Sequence, residues 1–159
     1  MRNQITKLVN TGETDVILFL HNARAPSPIE WDESLSLIKR FAITNDFRRL
    51  RALIISDGGG PDAAMRGQLQ EFFKGRQHSP KTAVFTTSVI GRGIVAAVSW
   101  FHPHVKAFSP RNFGDGLAHL GLSQATGPRL LREFSEMERQ LSPNSCLALI
   151  AGASARATL

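Results

Sequence analysis

Short apolar runs alternate with helix-patterned stretches along almost the whole chain, and that alternation leaves few folds open. Residues 16–20, 52–55, 82–87 and 105–108 are rich in aliphatic, β-branched and aromatic side chains. Each is too short to be a helix and reads as a strand, with 52–55 apolar throughout, as a buried strand should be. A preceding run at 5–9 is joined to 16–20 by Asn10-Thr11-Gly12-Glu13, a hairpin turn. Strands separated by helices pair in parallel through right-handed crossovers. The expected fold class is α/β, with a mixed, mostly parallel sheet of about five strands that begins with an antiparallel hairpin.

The helices announce themselves by their first turns. In Ser27-Pro28-Ile29-Glu30 the serine can cap free amides, the proline suits the first helical position and Glu30 completes a capping box. Trp31, Leu35, Ile38 and Ala42 then recur at helical spacing. A second helix starts at Pro61, with Met65, Leu69, Phe72 and Phe73 on one face and Gly75 as its stop. Ser88 caps a third, whose inward stripe reads as Ile90, Ile94, Ala97, Val98 and Phe101. Ser109-Pro110 opens a fourth with Phe113, Leu117 and Leu120 inward. Thr126-Gly127-Pro128 opens a fifth over 128–141, with Leu130, Phe134, Met137 and Leu141 inward. Residues 146–150 fit a strand or a helical turn, and 152–159 read as a frayed end.

Composition narrows the function classes. At 159 residues, 42% hydrophobic and 20% charged, the chain is the size of one ordinary domain with enough apolar side chains for a core. No apolar run is long enough to span a bilayer, and Met1-Arg2-Asn3-Gln4 leads into no signal-peptide core. The single Cys146 rules out an intramolecular disulfide and a cysteine zinc cage, so the expected setting is a reducing cytoplasm. Net charge is +6, carried by fourteen arginines and five lysines against thirteen acidic residues. Such a balance can serve nucleic acid, an anionic membrane or an acidic partner. The densest group, Arg48-Arg49-Leu50-Arg51, has no aromatics interleaved for stacking and reads as a solvated basic edge. His102-Pro103-His104 has no acidic residue or cysteine beside it to complete a ligand set, so no metal is expected. No acid, base and nucleophile are recognisable together, and no nucleophile elbow occurs, so no enzyme and no cofactor are expected.

The order of hairpin, helix, strand, helix, strand, helix, strand and helix resembles the STAS fold of sulfate-transporter and anti-sigma-factor-antagonist domains. It is similar to the uncharacterised STAS-like proteins of proteobacteria, including myxobacteria. The resemblance rests on Ala52-Leu53-Ile54-Ile55-Ser56-Asp57-Gly58-Gly59-Gly60-Pro61, on the block 82–94, on Val105-Lys106-Ala107-Phe108-Ser109 and on Leu117-Ala118-His119-Leu120-Gly121. It implies a STAS-like domain over 1–122, with 123–159 a C-terminal helix and tail that pack on it or extend from it. It also implies a non-enzymatic regulatory module that docks a protein partner, with a homo-oligomer open. Antagonists of this family are phosphorylated on a serine at a helix start. Here three glycines follow Ser56-Asp57, no serine holds that place, and Ser56 is the only hydroxyl near it.

The candidate binding residues are Ser56, Asp57, Gly58, Gly59, Gly60, Ser88 and Arg92, at the rim where parallel strands end and crevices form. Three glycines before a helix start can present amides to an anion. Their spacing matches neither the phosphate loop nor the dinucleotide fingerprint, and Asp57 would repel a phosphate. Two readings stand: the loop docks a protein, in which case Gly59 should accept a bulky residue without loss of fold, or the rim binds a small anionic metabolite, nucleotide or lipid headgroup. His21-Asn22-Ala23-Arg24 and Ser109 share the rim, and Ser88 and Ser109 also read as plain helix caps.

Overall fold

The computed structural model describes residues 1–44, 46–75, 79–99 and 104–157. Five strands, β1 (Gln4–Asn10), β2 (Asp15–His21), β3 (Leu50–Ser56), β4 (Lys81–Thr86) and β5 (Val105–Phe108), lie in that order across one sheet. The β1–β2 pair is antiparallel and turns at Gly12, whose φ of 84° suits a residue without Cβ. The other three pairings are parallel. The helices are α1 (Pro28–Thr44), α2 (Ala63–Phe73), α3 (Val89–Ser99), α4 (Phe113–His119), α5 (Gly127–Glu138) and α6 (Ser145–Ala157). Among the described residues no helix is long and apolar enough to cross a membrane.

Alternation along the strands sorts the core into two layers, because neighbouring strand residues point to opposite faces. Val16, Leu18, Leu20, Leu53, Ile55, Ala83 and Phe85 meet Leu117 of α4, Leu130, Phe134 and Met137 of α5, and Cys146 and Ile150 of α6. On the opposite face Ile17, Phe19, Leu50 and Ala52 meet Ile38 and Phe41 of α1 and the half-buried Leu69, Phe72 and Phe73 of α2.

Local signals place the helix starts well. Ser27 and Glu30 form the reciprocal box: the Glu30 amide donates to Ser27 Oγ at 3.3 Å, and the Ser27 amide donates to Glu30 Oε2 at 2.7 Å. Asp62 caps α2 by accepting from the Met65 amide at 2.9 Å, which moves the helix start past Pro61. Residues 145–157 form a full helix, so the frayed-end reading of 152–159 fails over 152–157. Asn144 makes that helix possible, with Oδ1 accepting from the Leu147 amide at 2.9 Å. In α3 Ile90 is 78% exposed and does not belong to a buried stripe. The side chains of Ile94, Ala97 and Val98, and all of Phe101, His102 and Pro103, lie outside the described residues.

Phe134 is fully buried against strands far from it in sequence. Phe134→Ala is expected to lower unfolding free energy by about 3–5 kcal/mol in urea titration. A loss under about 1 kcal/mol would mean that α5 rests on the sheet without sharing its core.

Candidate functional site

The register of β2, β3 and β4 sets His21 beside Ser56 and Ser56 beside Thr86, at the C-terminal ends of three parallel strands. All three are buried, with exposures of 3%, 5% and 2%, and all three line one cavity of about 430 Å³. Its floor is the sheet face of Ile17, Phe19, Ala52, Ile54, Thr82 and Val84. Trp31 and Ile38 of α1, Arg66, Leu69, Gln70 and Phe73 of α2, and Gly91 and Val95 of α3 stand over it. Gly58, Gly59, Gly60 and Pro61 close the rim end. Trp31 Nε1 donates to Gln68 Oε1 at 2.7 Å and so ties α1 to α2 across the roof.

The expected site residues divide between this cavity and structural duties. Ser56 Oγ donates to the Gly59 carbonyl at 2.5 Å and accepts from the Gly58 amide at 3.0 Å. The Gly59 amide donates to the Asn22 carbonyl at 2.9 Å, so two amides of the glycine run are engaged within the chain. A Cβ at Gly59 would overlap the backbone carbonyls of Asn22 and Arg24. The expectation that a bulky residue at Gly59 leaves the fold undisturbed meets an obstacle here, because the segments that follow β2 and β3 close on each other. Asp57 points to the other layer, where its carboxylate accepts from the Ser145 and Cys146 amides at 2.9 and 2.8 Å and caps α6. Ser88 caps α3 by accepting from the Gly91 amide at 3.0 Å. Arg92 Nη1 donates to the Thr86 carbonyl at 3.3 Å.

Two cations of the basic run are similarly occupied. Arg48 pairs with Asp46 at 2.6 Å, and Arg51 donates to the Leu120 carbonyl at the end of α4 at 2.7 Å. Among the described residues no group of three or more histidine, cysteine or acidic side chains could hold a metal.

His21, Thr86 and Arg66 are cavity residues that reading by local motif passes over or leaves unranked. The available signal was period two: counting alternate positions from Ile17, Ala52 and Thr82 reaches His21, Ser56 and Thr86 on one face. Burial drives the His21 pKa down to about 4, against the opposing pull of the Glu30 carboxylate. The imidazole is thus neutral near pH 7. Its Nδ1 is buried without a hydrogen-bond partner among the described residues. Phe19 stacks parallel to it at 6.2 Å between ring centroids, and Asn144 Nδ2 donates to its carbonyl at 2.7 Å. Glu30 stays ionised: desolvation opposes this, but amides of Ser27 and Asn3 donate to its carboxylate and hold its pKa down. Burial, helped by the Asp57 charge, pushes the Cys146 thiol up to about 12, so it has no thiolate to offer as a nucleophile.

The fold has a counterpart among solved structures. The chain is similar to an uncharacterised protein of the DUF3478 family with a SpoIIAA-like fold from Shewanella loihica PV-4. The two share 11% identity and a TM-score of 0.56 over 76% of this chain and 95% of that one. No family model and no curated protein sequence matches this chain. At that identity the likeness establishes the fold, which is STAS-like: an α/β domain on a mixed five-stranded sheet.

Two measurements test the site's construction. The unfolded chain binds a proton at His21 near pH 6.5, the folded protein only near pH 4. Stability from this group is therefore complete above pH 6.5 and is lost as pH falls through that window, by about 3 kcal/mol. His21→Phe should flatten this part of the pH–stability curve; an unchanged slope would place the acid sensitivity elsewhere. Gly59→Ala should cost about 1–3 kcal/mol, because all three overlapped atoms are backbone. A variant as stable as the parent would show that the β2 and β3 ends can part freely.

Proposed function

We propose that this protein is a regulatory binding module of STAS-like fold without catalysis of its own, whose ligand is an apolar small molecule held between the sheet and helices α1–α3. The observation that supports this reading is the cavity: about 430 Å³, floored by aliphatic and aromatic side chains, with a few polar groups gathered at the strand ends. That size and that arrangement are those of small-molecule sites. An anion on the glycine loop is the less favoured ligand. Two of the loop's amides are already engaged, and the adjacent Asp57 carries negative charge.

A protein partner at the rim is favoured by a separate observation. Ile29 at the start of α1 and Val89 and Ile90 at the start of α3 are 73%, 75% and 78% exposed, all in helix starts that follow strand ends on the rim side. Large apolar side chains so exposed are candidates for burial against another chain. The glycine loop belongs to both regions, lining the cavity beneath the rim. An occupied cavity can thus be reported to a partner without any covalent step.

Naphthalene is a suitable probe of the cavity in thermal unfolding. At ten times its dissociation constant it should raise Tm by about 3–6 °C, since it binds only the folded state. Ile54→Trp, which fills the floor, should remove the shift while leaving the fold intact. An equal shift in that variant would locate the probe elsewhere, and no shift with any apolar probe would overturn the cavity reading.

A further inference from the structure

Among the described polar groups at the cavity's rim end, His21 has a buried atom with no hydrogen-bond partner. Ser56 Oγ both donates and accepts within the loop, and Thr86 Oγ1 accepts from the Ser88 amide at 3.1 Å. His21 differs from both. Its side chain is almost wholly buried and lines the cavity, and its Nδ1, itself closed off from the cavity surface, has no hydrogen-bond partner among the described residues. Folded proteins keep few such atoms, because an unmet buried donor or acceptor forfeits the hydrogen bond it had with water. Phe19 lies parallel to the ring, and Asn144 fixes the backbone that carries it by donating to the His21 carbonyl. His21 is a cavity-lining group with a vacant valence, which a turn of the ring would bring to a ligand.

We propose that His21 reads the polar end of the ligand, and that the ligand is a neutral apolar molecule bearing a hydroxyl. This rests on the cavity reading above. The chemistry of the groups around the cavity's rim end selects the hydroxyl. A neutral imidazole has one N–H and one bare nitrogen, and a hydroxyl satisfies either because it donates and accepts. A carboxylate would be best met by a protonated ring, which burial opposes. The ionised Glu30, whose charge reaches His21, would also repel a carboxylate head. Arg66 is the one cation on the cavity wall among the described residues, and its Nη1 is turned to the Pro61 carbonyl at 2.7 Å.

The test compares 2-naphthol, naphthalene and 2-naphthoate by calorimetric titration at neutral pH, on the parent and on His21→Phe, which keeps a ring against Phe19. The parent should bind 2-naphthol roughly tenfold more tightly than naphthalene, the ratio expected of one buried neutral hydrogen bond. In His21→Phe that ratio should fall to about one with naphthalene affinity retained. Should the variant not fold, the parent's imidazole nitrogen chemical shifts decide: 2-naphthol should move them and naphthalene should not. If no probe binds, the cavity reading itself fails. If naphthalene binds but the hydroxyl adds nothing, or the preference survives His21→Phe, the cavity stands and the role of His21 is overturned. Tighter binding of 2-naphthoate than of 2-naphthol would overturn the neutral-ligand assignment.

Discussion

A sheet whose inner strands run parallel must be covered on both faces, and in this protein the two covers are unequal. Helices α4, α5 and α6 interlock with one face, where Phe85, Phe134 and Ile150 are fully buried. Gly116 lets the Phe85 ring lie directly against α4, since a Cβ there would overlap the ring. The other face has α1, packed through Trp31, Leu35, Ile38 and Phe41, and α2, which has no fully buried residue. A helix that rests on a sheet without entering its core leaves space beneath it. The cavity is that space, so the functional reading follows from an asymmetry of packing more than from any motif.

The end of β3 joins the two layers. Ser56 and Asp57 are consecutive, so their side chains leave the strand end in opposite directions. The serine turns to the cavity and fastens the glycine loop, whereas the aspartate caps α6 on the far side. The Gly59 amide then ties the loop to the carbonyl of Asn22, next to His21. Four residues thus couple the cavity wall, the rim and the C-terminal helix. Gly59 serves close backbone approach here, and the amides of Gly58 and Gly59 face the chain's own hydroxyl and carbonyl in preference to an external anion.

Elements governed by neighbours in sequence were legible beforehand. The strands at 16–20, 52–55 and 105–108, the Ser27–Glu30 box and the α5 stripe all follow from periodicity and capping within a few residues. Features governed by distant neighbours were not. The helical character of 152–157 depends on Asp57 and Asn144 holding the start of α6, and Asp57 lies nearly ninety residues away in sequence. Ile90 is apolar at helical spacing yet exposed, because periodicity identifies a stripe without saying what faces it. His21 read as one rim residue among several; its neutrality and unmet nitrogen arise only when α1, Phe19 and β3 enclose it.

From sequence alone come the α/β class, the hairpin followed by parallel strands, and the rim on which polar residues collect. These depend on apolar period, turn chemistry and the handedness of crossovers, all properties of short stretches of chain. The tertiary structure decided which helices seal their face and which stand off. It set His21, Ser56 and Thr86 in one row and assigned Asp57 to a helix cap. Those outcomes depend on strand register and on the volumes of side chains brought together from separate elements, and no local pattern encodes either.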